Sequence, residues 1–367
     1  MSILEHFSEI KDPRKDINKA FELTDILFLT MAAVLSGAEG WKGIKCFGDS
    51  KLDWLRQFRP FNNGIPTRHT IGRIIRGISA DSLVLCFAGW INSQRERNGK
   101  EQIAFDGKTI RGSGKNNHVD ALHLMSAMVV ESGLVLYQTR CQDKKNEIRT
   151  LRSMLECIPV KGTIISADAM HCQTETAAKI REKGADYVLQ VKGNQKMLRD
   201  EIAAYFHKIT RDSPEQIQTL PYSDIDGEHG RLVERHYRVL PISDWFESRK
   251  KWCESQSVIE VTRIRHQDKD IIKETSYYIS SLAPCAEEIS RVIRNHWAIE
   301  NSQHWILDVT FREDESLIYA QDGAQNMALF KRILLNLLKL NPVKDSIKGK
   351  RQRTSWDDNF RAQVLFG

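Results

Sequence analysis

The sequence predicts a mixed α/β protein, in which a helical region is followed by a mixed-sheet core that a mostly-β segment interrupts. Three observations predict this class. Residues 1–100 carry apolar residues at helical spacing, and residues 101–196 alternate short apolar strands with amphipathic helices. Residues 197–284 shift from one helix to strand patterns, the helical pattern returns over 285–340, and a basic segment, 341–367, ends the chain.

The composition is that of an ordinary soluble globular protein. Its 367 residues, 41% hydrophobic and 28% charged, are enough for two or three domains. The longest apolar run, Ile26 to Leu35, is about half of a membrane span, and no basic stretch opens the chain, so we expect neither a membrane segment nor a signal peptide. Seven scattered cysteines without a C-x-x-C pair indicate reduced thiols in a cytoplasm and argue against a structural zinc cluster.

Positive charge gathers at the two ends of the chain. The net charge is +6, with +4 in residues 1–100, +6 in residues 331–367 and −4 between them. Basic ends around an acidic centre suit a protein that holds a polyanion at its ends and metal ions in its middle. Differences of a few charges also arise by chance, so this is a weak signal.

The first hundred residues are predicted to be a helical domain. Its predicted helices are Phe21 to Leu35, Trp41 to Phe58, one that Thr67 caps, and Asp81 to Asn98. The third helix also carries Arg68, His69, Arg73 and Arg76. A short basic helix in a small bundle fits a DNA-binding unit of the helix-turn-helix type. A helical packing domain with solvated arginines fits equally well.

The core begins at residue 101. A strand, Gln102 to Asp106, precedes two strand patterns over 121–130 and 134–141 that read as a hairpin. A helix over 146–158, a strand over 163–168, a helix over 175–183 and a strand over 186–191 follow. The order β-β-β-α-β-α-β is that of a ribonuclease H-like core. Three further strand patterns, over 231–240, 257–265 and 272–281, predict the mostly-β insertion.

Residues 293–308 predict one helix with a polar stripe. His296, Glu300, His304 and Asp308 recur every fourth residue, so they share a face. A face exposed to solvent explains such a stripe as well as a functional site does. Two histidines at this spacing would also suit zinc, although the sequence lacks H-E-x-x-H.

Three carboxylates are predicted to converge. Asp106 and Asp168 end two strands that the element order places side by side, and the later helix brings Glu300. Each aspartate alone could simply cap a strand end. Three carboxylates in one place repel each other unless divalent cations lie between them, and a pair of Mg²⁺ ions in such a site serves phosphoryl transfer.

Several stretches resemble the DDE-class transposases of bacterial insertion sequences, in particular the H-repeat-associated family. The resemblance covers nearly the whole chain. Its pieces are Asp12-Pro-Arg14, Ile103-Ala-Phe-Asp-Gly-Lys-Thr-Ile-Arg-Gly112, Leu122-His-Leu124, Ile165-Ser-Ala-Asp-Ala-Met170 with Cys172-Gln173, Ala185 to Gln195, His229-Gly-Arg231, His296 to Asn301 through Asp308 to Asp314, and Asn326-Met-Ala-Leu329 with Leu335-Asn-Leu-Leu338.

The resemblance implies a DNA transposase with Asp106, Asp168 and Glu300 as ligands of two Mg²⁺ or Mn²⁺ ions. Water would cleave a phosphodiester at the element's end, and the freed 3′-hydroxyl would attack target DNA. It also implies a homodimer on paired inverted repeats, acting in the bacterial cytoplasm at the nucleoid. The broader class often has Tyr, Arg and Lys around the glutamate, where this chain has Ile293, His296 and Leu307.

Other residues are candidates for supporting roles. His304 and Asp308 would orient ligands or DNA, and His296 would stand in for the arginine. Trp297 and Trp305 are expected in the core, and the basic end of the chain is expected to be loosely ordered up to Ser355, as a phosphate clamp or a soluble end. Candidates for DNA contact are Lys108, Arg111, Lys192, His229 and Arg231.

Two other functions remain open from the sequence. The same fold could belong to a domesticated, structure-specific DNA nuclease that does not join ends. The chain could instead be a non-catalytic DNA-binding relic that uses residues 1–100 and the basic end, although none of the three carboxylates is missing.

Overall fold

A computed structural model describes residues 3–95, 100–114, 120–141, 146–226, 231–244, 246–267, 270–319 and 321–367. The chain divides into two compact units. The first unit comprises Met1–Arg97, Gly107–Asn146 and Ile299–Gly367, and the second comprises Asn98–Asp106 and Glu147–Ala298. The five-part division expected from the sequence stays a prediction. The predicted helix end at Asn98-Gly99 lies outside the described residues.

The described elements include fourteen α-helices and nine strands, interspersed with shorter helical turns. In chain order the helices and strands are α1 (Ile3–Phe7), α2 (Leu23–Leu35), α3 (Gly40–Ser50), α4 (Leu52–Arg56), α5 (Arg68–Gly77), α6 (Ala80–Gln94), β1 (Gln102–Ile110), β2 (Leu122–Val129), β3 (Val135–Cys141), α7 (Glu147–Cys157), β4 (Ile164–Ala167), α8 (Thr174–Glu182), β5 (Asp186–Val191), α9 (Lys196–Asp212), β6 (Gln218–Asp226), β7 (Arg231–Pro241), β8 (Ser257–Gln267), β9 (Asp270–Ser280), α10 (Ala286–Asn295), α11 (Trp305–Val309), α12 (Gln321–Leu340), α13 (Ile347–Trp356) and α14 (Asp358–Phe366). The mixed α/β class is therefore confirmed, as is the element order predicted for residues 101–191.

Helices α2 and α12 contribute much of the hydrophobic core of the first unit, because their apolar residues are almost all buried. The predicted helices of residues 1–100 are present, except that the chain breaks at Lys51 into α3 and α4. Thr67 caps α5 as predicted, because its hydroxyl accepts a hydrogen bond from the Thr70 amide. The predicted hairpin is also present, since β2 and β3 pair antiparallel.

The expectation of a loosely ordered chain end is wrong. Ser346 and Asp357 cap two helices, α13 and α14, that cover much of this segment. Arg361 is fully buried, and its guanidinium lies 4.6 Å from the ring centroid of Trp54. The positive charges that suggested a phosphate clamp are in part structural, because Lys350 donates hydrogen bonds to the Leu338 and Asn341 carbonyl oxygens.

The second unit contains one continuous run of strands, in the order β1-β4-β5-β9-β8-β7-β6. Strands β1, β4 and β5 are parallel, as expected for strands joined by helices. Strand β9 pairs antiparallel with β5, and β8, β7 and β6 continue the antiparallel run. The strands predicted for the insertion therefore extend the sheet edge that β5 would otherwise leave open.

Helix α10 packs on this sheet through one apolar face. Its buried residues Ile289, Val292 and Ile293 join a core cluster with residues of β4, β5, β7 and β8. The burial fixes the residues that follow the helix. They come to lie beside the carboxyl end of β4, as the contacts of His296 show below.

Within the described residues no single helix is long and apolar enough to cross a membrane. Two bent pairs of consecutive helices, α2 with α3 and α5 with α6, meet the requirements for a membrane span in combined length and composition alone.

Candidate active site

Asp106 and Asp168 are neighbours across two parallel strands of the second unit. The register pairs Phe105 of β1 with Ala167 of β4, and each aspartate follows its member of that pair. Strand β4 ends there as predicted, but β1 continues to Ile110, so Asp106 lies inside a strand rather than at its end. The side-by-side placement expected from the element order is thus confirmed within this unit.

The Asp168 carboxylate is not used to cap a turn. Asp168 precedes a short 3₁₀ turn, Ala169–His171, and its side chain makes no capping hydrogen bond there. It is about half exposed (55%), and its Oδ1 lies 3.5 Å from His296 Nε2. The His296 imidazole holds the pKa of Asp168 below its usual value, against the opposite effect of burial, and Lys192 lowers it further. Asp168 is therefore an ionised carboxylate with room for a ligand.

His296 is held by a buried polar chain. The Gln102 amide nitrogen donates to Ser166 Oγ at 2.8 Å and to the Val292 carbonyl oxygen at 2.9 Å, so both of its protons are used. Ser166 Oγ lies 3.1 Å from His296 Nδ1. Because Ser166 already accepts from Gln102, its own proton can go to Nδ1. A neutral His296 then carries its proton on Nε2, the nitrogen that faces Asp168.

Two loops meet at the same end of β4 and β5. The Asn194 amide donates to the Ala169 carbonyl oxygen at 2.8 Å, and the Gln195 amide donates to that of Cys172 at 3.0 Å. These bonds bring Lys192, which is exposed and follows β5, to the edge that carries Asp168. A positive, flexible side chain there suits a phosphate contact.

A shallow pocket opens beside Asp168. Tyr278 of β9, His296 and Trp297 line it together with residues of β4, β5 and α10. Burial raises the pKa of Tyr278, so its hydroxyl stays a hydrogen-bond donor. Trp297 is 56% exposed, and Trp305 in the first unit is 58% exposed, so the expectation that both lie in the core is wrong. The apolar core positions are taken instead by Ile293, Ile299 and Leu307.

The predicted single helix over residues 293–308 is interrupted. Helix α10 ends at Asn295, a turn follows at His296 and Trp297, and Glu300–His304 form a π-helical turn before α11. The polar stripe is correspondingly divided, because Glu300 is exposed while His304 is buried. Glu300 opens the π-helical turn in the first unit, and π turns of this kind occur frequently at functional sites.

Lys108 and Asp308 pair with each other in the first unit. Lys108 Nζ lies 2.6 Å from Asp308 Oδ2 and 3.5 Å from Asp314 Oδ1, and Lys108 is only 9% exposed. Burial raises the pKa of Asp308 and the Lys108 hydrogen bond opposes that rise. A lysine held in this way is not available to grip a phosphate, so the predicted DNA contact at Lys108 is not supported by the geometry.

The remaining candidates divide into three groups. Arg111 donates its backbone amide to Asp314 Oδ1, and its guanidinium lies 3.6 Å from Asp314 Oδ2 while the side chain stays 86% exposed. Burial and the neighbouring Arg332 lower the pKa of His304 to about 3, so this histidine is neutral near pH 7. Arg231 begins β7 and His229 precedes it, but His229 and the Arg231 side chain lie outside the described residues.

Neither unit, over the residues that the structure describes, holds three His, Cys, Asp or Glu side chains grouped to bind a metal ion. The two aspartates of the second unit supply oxygen ligands, the type that Mg²⁺ prefers. No sequence pattern indicates the supporting roles of Gln102, Ser166 and Tyr278. Each follows from strand register and from the packing of α10, which only the folded chain defines.

Comparison with known proteins identifies the family of the chain. The family described as "Transposase DDE domain" matches residues 97–337, and a domain associated with it matches residues 4–91. The chain belongs to the DDE transposase family. The expected resemblance to H-repeat-associated insertion-sequence transposases is therefore confirmed.

Relatives of this transposase include two similar over nearly their whole length. The "H repeat-associated putative transposase YhhI" of Escherichia coli (strain K12) is 36% identical over 374 residues, covering 100% of this chain and 98% of the relative. The "Putative transposase YncI" of Escherichia coli O157:H7 is 35% identical over 370 residues, covering 99% and 94%. A solved piggyBac transposase synaptic complex with hairpin DNA covers 98% of this chain and 77% of its own, at 11% identity and a TM-score of 0.45.

Proposed function

We propose that this transposase cuts DNA at the inverted repeats that end its element and joins the freed 3′-ends to target DNA. The observation that carries the proposal is the adjacency of Asp106 and Asp168, each of which follows one member of the pair Phe105 and Ala167 on parallel strands. Asp168 is half exposed, ionised and free of a capping role. The parallel β1, β4 and β5 with their crossover helices support a ribonuclease H-like core.

Asp106, Asp168 and Glu300 are proposed to hold two Mg²⁺ or Mn²⁺ ions. The aspartate pair fits such ions, since both side chains are carboxylates and Asp168 makes no capping hydrogen bond. Glu300 is assigned through its match to the family motif and its exposed position at the π-helical turn. When bound, such ions stabilise the charge that develops on the attacking and leaving oxygens of a phosphodiester.

The chain's own residues prepare this site for DNA. His296, fixed by Ser166, orients the Asp168 carboxylate and keeps it ionised. Lys192 and the Arg111 guanidinium are exposed cations for backbone phosphates, and Trp297 offers an exposed ring to a base or sugar. The arginines of α5 would add DNA contacts from the helical region of residues 1–100. A homodimer would hold the two ends of the element.

The test is an assay of cleavage and joining. Purified protein is mixed with Mg²⁺, a donor plasmid carrying the DNA that flanks its reading frame, and a target plasmid. We expect donor cleavage, joined products, loss of both with EDTA, and loss of both in Asp106→Asn. The control Asp120→Asn, which alters an exposed aspartate, should leave both unchanged.

Each outcome assigns a function. Cleavage without joined products would make the protein a nuclease. DNA binding without cleavage, in the wild type, would make it a non-catalytic relic. One relative, which matches 20% of this chain, is named "Inactive transposase YbfQ". Full activity of Asp106→Asn would overturn the assignment of the carboxylates.

A further inference from the structure

A cavity of about 470 Å³ lies within the first unit. Its wall combines the first turns of α3 and α5 with the segment Phe311 to Ile318, one side of α12 and Arg351 of α13. Glu300 is not among its lining residues. Its volume falls in the range of about 300–1,000 Å³ that is typical of small-ligand pockets.

The wall of this cavity carries more positive than negative charge. Its two carboxylates, Glu39 and Glu315, both pair with Arg312. The other cations of the wall make no ion pair with a described residue; they are Lys42, Arg68, Arg76, Lys331 and Arg351. The cavity is therefore suited to an anion.

Lys331 is the most informative of these cations. It is only 7% exposed, yet it makes neither a hydrogen bond nor an ion pair with the described residues. Two other lysines of the same unit, the half-buried Lys339 and the buried Lys350, each donate hydrogen bonds to two carbonyl oxygens. Burial lowers the pKa of Lys331. The charges of Glu313 and Glu39 oppose this effect, but neither carboxylate forms an ion pair with Lys331. A mostly buried lysine that lines a cavity without a fixed partner favours a bound anion there.

The N-terminal ends of α3 and α5 also favour an anion in this cavity. Helix α3 has eleven residues, and the side chain of its N-cap residue Glu39 makes no capping hydrogen bond. The amides of its first turn, at Gly40 to Lys42, thus remain available beside the cavity. The ten-residue α5 presents Arg68 and His69 from its own first turn.

The same wall also has an apolar part. Trp41, Leu317, Ile318 and Met327 line it, and Leu317 is 65% exposed. The Trp41 ring lies against Gly72 of α5, where an added Cβ would stand 3.2 Å from three ring atoms. Because Gly72 has no side chain, the Trp41 ring can pack directly against the backbone of α5. A ligand that is part phosphate and part flat ring matches both halves of the cavity.

We propose that this cavity binds a nucleoside phosphate, with the phosphate at Lys331 and the α3 start and the base against Trp41 and Leu317. The nucleotide is either an unstacked nucleotide of bound DNA or a free nucleotide. None of the carboxylates assigned to cleavage lines this cavity, and its existence does not depend on their activity.

Calorimetry on the full chain tests the site with deoxyadenosine monophosphate, deoxyadenosine and inorganic phosphate. We expect the nucleotide to bind at least about tenfold more tightly than the nucleoside. Lys331→Met should weaken nucleotide binding by at least about tenfold and leave the Tm equal or higher, because it removes a charge that burial disfavours. The control Lys348→Met, at an exposed lysine of α13, should change neither property.

Further outcomes decide the matter if Lys331→Met does not fold. Arg68→Ala alters an exposed residue of the wall and should weaken nucleotide binding by about threefold or more with an unchanged Tm. Wild-type protein that binds neither nucleotide nor phosphate would overturn the proposal, as would wild-type affinity in both variants. A duplex with one unpaired 2-aminopurine identifies the source. If the mononucleotide displaces the 2-aminopurine from the cavity and changes its fluorescence, the natural ligand is a nucleotide of bound DNA. If the mononucleotide binds without changing the fluorescence, the ligand is a free nucleotide.

Discussion

Asp168 of the second unit and two acidic residues of the first unit, Asp308 and Glu313, differ in the basic group that lies beside them. In the second unit, Asp168 is half exposed, and its neighbour is the His296 imidazole at 3.5 Å. In the first unit, Glu313 is buried against Arg332 at 2.5 Å, and Asp308 lies 2.6 Å from Lys108. A lysine or arginine neutralises the charge of a carboxylate inside the fold. A histidine orients the carboxylate and leaves its charge available to a ligand.

The comparison explains why residue type alone does not identify a site. Asp168 and Asp308 both lie in stretches that match the family and both lie near basic residues in the sequence. The partner of Asp308 is 200 residues away along the chain. Only the fold shows that one aspartate pairs with a buried lysine and that the other faces a histidine.

The largest effect on stability is expected at the buried pair of the first unit. Glu313→Gln should lower the free energy of unfolding by about 3–5 kcal/mol, because it leaves Arg332 buried without its counter-charge. Denaturant titration measures the change. Glu315→Gln, at an exposed ion pair with Arg312, serves as the control and should cost less than about 1 kcal/mol. Equal, small losses would remove the distinction between buried and exposed carboxylates.

Acid should destabilise the first unit through His304. Its pKa of about 3 in the folded chain is below the value of 6.5 for a free side chain. The unfolded state therefore binds more protons between these values, and the free energy of unfolding falls as the pH drops. From pH 6.5 to pH 5 the loss should be about 2 kcal/mol. His304→Gln should lack this component of the pH dependence, and an identical profile would contradict the assignment of His304 as a buried neutral group.

Lys108 should act as a structural residue. Lys108→Met leaves Asp308 without its cation and should lower the free energy of unfolding by about 1–2 kcal/mol. DNA affinity of the folded protein should stay the same, because the lysine is not free to bind phosphate. A gel-shift titration well below the melting temperature checks this. A several-fold loss of affinity at unchanged stability would restore the DNA contact predicted from the sequence.

His296 should affect the reaction more than the fold. His296→Gln removes the imidazole that faces Asp168, so we expect cleavage to fall by about tenfold and the Mg²⁺ concentration needed for half-maximal rate to rise. Stability should change by about 1 kcal/mol or less, because a glutamine amide can replace the hydrogen bond between His296 and Ser166. A lower rate with unchanged Mg²⁺ dependence would show that His296 does not act through Asp168.

The sequence predicted those features that depend on local pattern. Thr67 was predicted as a cap from its place before an apolar repeat, and the adjacency of Asp106 and Asp168 followed from the order of strands and helices. The π-helical turn at Glu300 was missed, because its residues have the spacing of an ordinary helix. The helices after Asn341 were missed because their basic residues looked solvated, whereas Arg351 and Arg361 are held by distant carbonyl oxygens and aromatic rings.

The most direct test compares cleavage by two aspartate variants that change the same atoms. Asp168→Asn should lower the rate of DNA cleavage by at least about 1,000-fold at unchanged stability. Asp308→Asn should keep the rate within about fivefold of the wild type once both proteins are fully folded, because Asp308 only pairs with Lys108. Loss of cleavage in Asp308→Asn with full activity in Asp168→Asn would contradict the account.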